Sequence, residues 1–266
     1  MNILIVGGAK GIGKATCREL SSGDHRLFVA DRDAGALAEL SRDLAGGVET
    51  LAMDIADRPS VNAALRWVDE NVGPLDAAVI SAGVHHTYPI EFVPDELVDR
   101  ILDINLNAHI KLVRDLIPRM KSGGKIVGVS SVSAGIGIPM EGVYAASKAG
   151  LERIYESLSV ELSDREIKPV IVQPGNVNTG FNESGNDYTP RGNAYVDGVY
   201  RQVLKVTDSR YGIDPAVVAR TIAQAIRADR PRVRYIVGSN ALKAHWANRL
   251  LGLQGALKIM TKVLGL

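Results

Sequence analysis

The chain has 266 residues, 46% hydrophobic and 23% charged, with 27 Gly, 11 Pro and a formal net charge of +1. This is an ordinary soluble globular composition, and a chain of this length can bury ~70–75% of its unfolded surface without staples. A single cysteine, Cys17, excludes an internal disulfide and a Cys-built zinc site, no apolar run is long enough for a membrane span, and the opening residues read as a first buried strand, so no secretory leader is expected.

In chain order, short Val/Ile/Leu-rich runs alternate with longer segments of helical period. The predicted strands are Asn2–Val6, Arg26–Ala30, Val48–Ala52, Asp76–Ile80, Lys125–Val129, Pro169–Val172 and Arg234–Val237. The predicted helices are Gly11–Ser22, Ala34–Leu44, Ser60–Asn71, Asp95–Lys121, Val143–Ser163 and Pro215–Ala228, the last opened by an Asp214-Pro215 start signal. Strands of nearly continuous hydrophobicity are those covered on both faces, so the pattern predicts a single α/β domain with a doubly wound parallel sheet of about seven strands. Residues 178–212 break the alternation. They are rich in Gly, Asn, Asp and Tyr and weak in periodicity, and they read as an irregular substrate lid.

Gly7-Gly8-Ala9-Lys10-Gly11-Ile12-Gly13 follows the first strand and opens the first helix. Glycines there permit a tight turn and bring helix N–H groups against a pyrophosphate, although a plain glycine-rich turn would look the same out of context. Asp31, at the end of the second strand, stands where a carboxylate accepts hydrogen bonds from adenosine ribose hydroxyls and repels a 2′-phosphate. Lys10 and Arg32 pull the other way. The carboxylate, nearest the ribose, favours NAD over NADP. In Tyr144-Ala-Ala-Ser-Lys148, the i, i+4 spacing places a phenol and an ammonium on one helix face, where the cation favours the phenolate.

GGAKGIG, Asn105 in DINLNA, Ser131 in VSSVSAG, YAASK and Pro174-Gly175-Asn-Val177-Asn-Thr179 occur together in order and spacing. In this the chain resembles the short-chain dehydrogenase/reductase family over residues 1–238. The resemblance implies a Rossmann-type fold and NAD(P)-dependent interconversion of a hydroxyl and a carbonyl. It implies Tyr144 as general acid/base, Lys148 depressing its pKa and holding the nicotinamide ribose, Ser131 donating to the substrate oxygen, and Asn105 holding a water that links Lys148 to solvent. Ser130 and Ser133 are neighbours of Ser131 without the family spacing. The resemblance also puts Asp54 and Ile55 at the adenine, Ser81, Ala82 and Gly83 along the cofactor, and Val177 and Thr179 at the carboxamide. Val6 and Ile80-Ser81 depart from the family's usual Thr and Asn-Asn, which touches sheet tethering and not the catalytic positions.

Adjacent His85 and His86, which follow the Ser81-Ala82-Gly83 turn, read first as a solvated loop pair and alternatively as lining the substrate mouth, His109 and Cys17 read as packed helix residues, and no metal site is expected. Phe181, Tyr188, Tyr195 and Tyr200 in the lid suggest a hydrophobic pocket for an apolar secondary alcohol or ketone of steroid, lipid or aromatic type. From Arg230 to Leu266 there are seven Lys/Arg and no Asp or Glu, so the first 229 residues carry 24 cations against all 30 acids. The basic amphipathic tail, residues 240–266, reads first as a helix closing the pocket or packing between subunits, and alternatively as a segment lying on an anionic membrane. Nucleic acid is not an expected partner. A homodimer or homotetramer in the cytoplasm, possible peripheral membrane contact included, is the expected setting. Rival readings are a non-catalytic NAD(H)-sensing regulator, an NADP-dependent carbonyl reductase, and an epimerase or dehydratase using bound NAD transiently.

Overall fold

The computed structural model describes every residue except Gly46, Glu183, Ser184, Asn186, Asp187 and Leu266. Four of these fall in the predicted lid and one in the tail, so those parts of the two expectations lie outside the described residues. Seven parallel strands form one sheet in the order β3-β2-β1-β4-β5-β6-β7: β1 Asn2–Val6, β2 Arg26–Asp31, β3 Val48–Ala52, β4 Leu75–Ile80, β5 Met120–Val129, β6 Lys168–Pro174 and β7 Arg234–Val237. Alternate side chains of one strand serve two cores. Ile3 and Ile5 face the layer of α1 (Gly11–Ser21), α2 (Ala34–Asp43) and α8 (Pro215–Arg227), while Leu4 and Val6 face α3 (Arg58–Asn71) and α6 (Gly142–Glu161). Both faces are therefore dry, as the unbroken apolar runs required.

The strand order reverses between β1 and β4, and the loops leaving these strands part there to make a crevice at the C-terminal edge of the sheet. The backbone at this point is closely fitted. Ser81 N–H donates to Val6 O at 2.8 Å, and a Cβ on Gly7, whose φ is +75°, would lie 2.4 Å from Ala82 N. Only glycine lets the two loops meet.

Three predicted elements differ from the structure. The single helix Asp95–Lys121 is four pieces: α4 Asp95–Leu102, a π turn Asp103–Ala108, α5 His109–Leu116 and a 3₁₀ turn Ile117–Arg119. Pro118 cannot continue an α-helix, so β5 begins at Met120, five residues before the predicted start. The lid is not irregular throughout. It contains α7, Ala194–Thr207, capped by Asn193, whose side chain accepts from Val196 N at 3.2 Å. The buried Val196, Val199, Tyr200 and Val203 carry the helical period that Asp197 and Gly198 obscure in the sequence. The tail is α9, Ser239–Leu264, bent at Gly252 (φ 66°, ψ 173°). Among the described residues no helix is long and apolar enough to cross a membrane.

Candidate active site

A cavity of about 1420 Å³ opens along the C-terminal edge of the sheet. Every cofactor residue predicted from the sequence except Gly13 lines it, as do Ser131, Tyr144 and Lys148; Asn105 lies one layer behind. Gly13 acts from inside the loop, because a Cβ there would stand 2.0 Å from Gly7 O.

The cofactor end fits a dinucleotide. No side chain caps the start of α1, whose first turn also lacks an acidic residue, so its N–H groups remain available to an anion. Asp31 is fixed at the cavity edge, with Oδ2 accepting from Ala9 N and Oδ1 from Asp33 N, each at 3.0 Å. Lys10 reaches away to Asp33 at 2.6 Å, an exposed pair that raises the Lys10 pKa chiefly through this hydrogen bond. Arg32 lines the cavity.

At the catalytic end, α6 buries Tyr144 and Lys148 one turn apart, with Lys148 Nζ 5.8 Å from the Tyr144 ring centre and donating to Val129 O at 3.0 Å. Burial pulls the Lys148 ammonium down to about 8, against a smaller opposing pull from Glu152. The Tyr144 phenol moves opposite to the expected depression. Burial first, and the Glu141 charge second, hold it above the ordinary tyrosine value, while its hydrogen bond with Ser131 works downward. Ser131 Oγ also accepts from Ser133 Oγ at 2.7 Å, and Ser130 Oγ turns to Glu152 at 2.7 Å. Of the three serines, Ser131 alone is hydrogen-bonded to the phenol among the described residues.

The π turn explains where Asn105 sits, since such a bulge re-aims a side chain without ending the helix. Its amide clamps the chain after β4: Oδ1 accepts from Val84 N and Nδ2 donates to Val84 O, both at 2.8 Å, and Nδ2 also reaches Ser147 Oγ at 3.2 Å. Most of the amide's capacity is thus used in fixing that loop, and one Oδ1 lone pair is left for the expected water. Behind Lys148, His109 Nε2 lies 2.9 Å from Tyr155 OH, and burial with the Lys148 charge lowers His109 to about 3.

On the substrate side of Tyr144, sequence reasoning missed Glu141 and placed second the reading of His85 and His86 as lining the cavity, where both lie. His85 and His86 are not a solvated pair; they are only 3% and 6% exposed. The segment carrying them is held under the lid by Thr87 N–H to Gly185 O at 2.9 Å and Tyr88 N–H to Met140 O at 2.7 Å. His85 Nε2 lies 3.1 Å from Glu141 Oε1, and its ring meets the Tyr144 ring edge-on at 4.8 Å. Glu141, three residues before Tyr144, carries no motif that would have announced it. Of the four lid aromatics named from the sequence, Phe181 alone lines the cavity, 6.4 Å from the Tyr144 ring. Tyr188 and Tyr200 pack instead with Tyr88 and Phe92 in a small core of their own, and Tyr195 is 72% exposed. The apolar wall comes from Ile136, Ile138 and the tail residues Met260, Val263 and Leu264. Cys17 and His109 are buried as helix residues, and among the described residues no group of His, Cys, Asp and Glu is arranged to hold a metal.

Comparison with known proteins gives this geometry a family. A family model for short chain dehydrogenase matches residues 1–189. The chain is 29% identical over 242 residues to a 3-ketodihydrosphingosine reductase of Bacteroides thetaiotaomicron, covering 89% of this chain and 87% of that protein. It is 31% identical over 251 residues to human 17-beta-hydroxysteroid dehydrogenase type 1, covering 88% and 76% respectively. A short-chain dehydrogenase from Streptomyces avermitilis has the same fold, with a TM-score of 0.84 at 24% identity over 98% of this chain and 96% of that one. With the family model spanning well over half of its length, the chain belongs to the short-chain dehydrogenase family of NAD(P)-dependent oxidoreductases.

Proposed function

We propose that this enzyme interconverts a secondary alcohol and a ketone on a large apolar skeleton, with NAD preferred over NADP and Tyr144 as the general acid/base. The observation that carries the reading is the buried pair Tyr144 and Lys148, with the half-buried Ser131 hydrogen-bonded to the phenol, on one cavity that runs from the glycine loop to an apolar wall. Bound there, the nicotinamide nucleotide supplies the donor or acceptor of the hydride. Tyr144 gives its hydroxyl proton to the carbonyl oxygen in reduction and takes the alcohol proton in oxidation. Its raised pKa keeps it protonated near neutral pH, the form that reduction requires. Ser131 Oγ donates to the substrate oxygen as charge develops, and Lys148, charged below about pH 8, supports the phenolate and holds the nicotinamide ribose.

The NAD preference rests on Asp31 at the ribose position and on Lys10, whose ammonium is engaged by Asp33. The substrate class rests on the apolar wall, since the cavity's volume of about 1420 Å³ is shared with the dinucleotide. Sphingoid and steroid skeletons, which the two relatives' names specify, share this apolar bulk beside one oxygen function. The test follows reduced-nicotinamide absorbance with NAD or NADP across secondary alcohols running from short aliphatic to long-chain and steroid. The expected result is kcat/KM rising with apolar bulk and with NAD, and falling above about pH 8 in the reductive direction as Lys148 loses its proton. Cofactor binding without turnover across the panel would favour the NAD(H)-sensing reading.

A further inference from the structure

We propose that the bent tail helix α9 docks the enzyme on an anionic lipid bilayer. The bend at Gly252 turns two sides of the helix to different tasks. Ala244 and Ala247 before it, and Ala256 and Met260 after it, line the cavity. On the outward side Leu242, Trp246 and Leu250 recur every four residues, and Leu250, Leu251 and Leu253 crowd the bend at 74%, 57% and 58% exposed. Clustered leucines this exposed form an apolar knuckle on a surface where large side chains ordinarily stand singly.

Charge identifies what covers it. Arg249, Lys258 and Lys262 are exposed along the same helix, outside the cavity that Lys243 helps to line, and make no ion pair among the described residues. From Arg230 to Leu266 the sequence holds no acidic residue. A second copy meeting this face by two-fold symmetry would set these cations against their own counterparts, which is unfavourable. An anionic bilayer answers both features. The leucines enter the headgroup and acyl boundary while the cations meet lipid phosphates and carboxylates. Because the same helix walls the cavity, docking brings the apolar wall to the lipid; that consequence rests on the apolar-substrate reading, whereas docking itself does not.

Co-sedimentation of the full chain with vesicles of purely zwitterionic lipid, and with vesicles containing phosphatidylserine, tests the proposal independently of turnover. The wild type is expected to pellet with the anionic vesicles alone and to be released by salt. Arg249→Gln with Lys258→Gln weakens partition roughly thirtyfold, at roughly fivefold per cation. Leu250→Ser with Leu251→Ser and Leu253→Ser abolishes it, while turnover of a short soluble alcohol and light-scattering mass stay unchanged. Wild-type protein that stays in the supernatant with anionic vesicles overturns the proposal, as does binding insensitive to lipid charge and salt. A light-scattering dimer that the leucine variant dissociates, without vesicle binding in the wild type, assigns the knuckle to a second copy and overturns it equally.

Discussion

The two ends of the cavity are built in different ways. The cofactor end is made by backbone at the edge of the sheet, from glycines with no room for a Cβ, strand termini and an uncapped helix start. The substrate end is made by side chains from elements far apart in sequence: the segment after β4, the lid, and the bent tail. Its cores are small, with Tyr188, Val196 and Tyr200 in one and Val199, Val203 and Leu264 in another, apart from the two large cores on either face of the sheet. The first design tolerates almost no change in shape. The second allows the pocket to be re-lined without disturbing the sheet, which is how one fold serves different substrates.

The difference predicts separable failures. Gly13→Ala should have the larger effect, since its Cβ would collide with Gly7 O at 2.0 Å and nothing flexible is there to yield. Strain of about 1–3 kcal/mol weakens NAD binding roughly ten- to hundredfold, read by fluorescence titration. Asp197→Ala should act at the other end and less strongly. Asp197 accepts from Tyr188 OH at 3.0 Å, Arg191 N at 3.3 Å and Gly192 N at 2.9 Å, and so ties the lid to α7. Leaving these donors without their acceptor costs about 1–3 kcal/mol locally, enough to raise KM for an apolar substrate roughly tenfold. The NAD dissociation constant should not move. A variant at either end that altered both constants equally would break the division.

The same contrast explains what the sequence discloses. All seven strands are legible because strands covered on both faces need unbroken apolar runs, and the cofactor loop is legible because its geometry demands glycine at stated positions. Tyr144 and Lys148 share one helix face, as their spacing requires, but it is the resemblance, not the spacing, that singles them out. The π turn at Asn105 is not legible, since an extra residue inside a helix leaves the local apolar pattern nearly intact while re-aiming one amide. The start of β5 is readable from Pro118 and is obscured because its first residues, Met120-Lys-Ser-Gly-Gly, are largely polar. Glu141 and the buried His85 have no local signature at all. Their pairing depends on the lid folding over the segment after β4, and polar residues read locally look solvated.

Glu141 bears on the proposed role of Tyr144, because its charge, after burial, holds the phenol above the ordinary tyrosine value. The most direct test is reduced-nicotinamide absorbance with Tyr144→Phe, alongside fluorescence titration of the cofactor. The account predicts cofactor affinity within about twofold of wild type. It predicts turnover lower by ~10²–10⁴, the usual contribution of a positioned general acid/base. Turnover retained within about tenfold of wild type would mean that another group carries the proton, and the assignment of Tyr144 would be wrong.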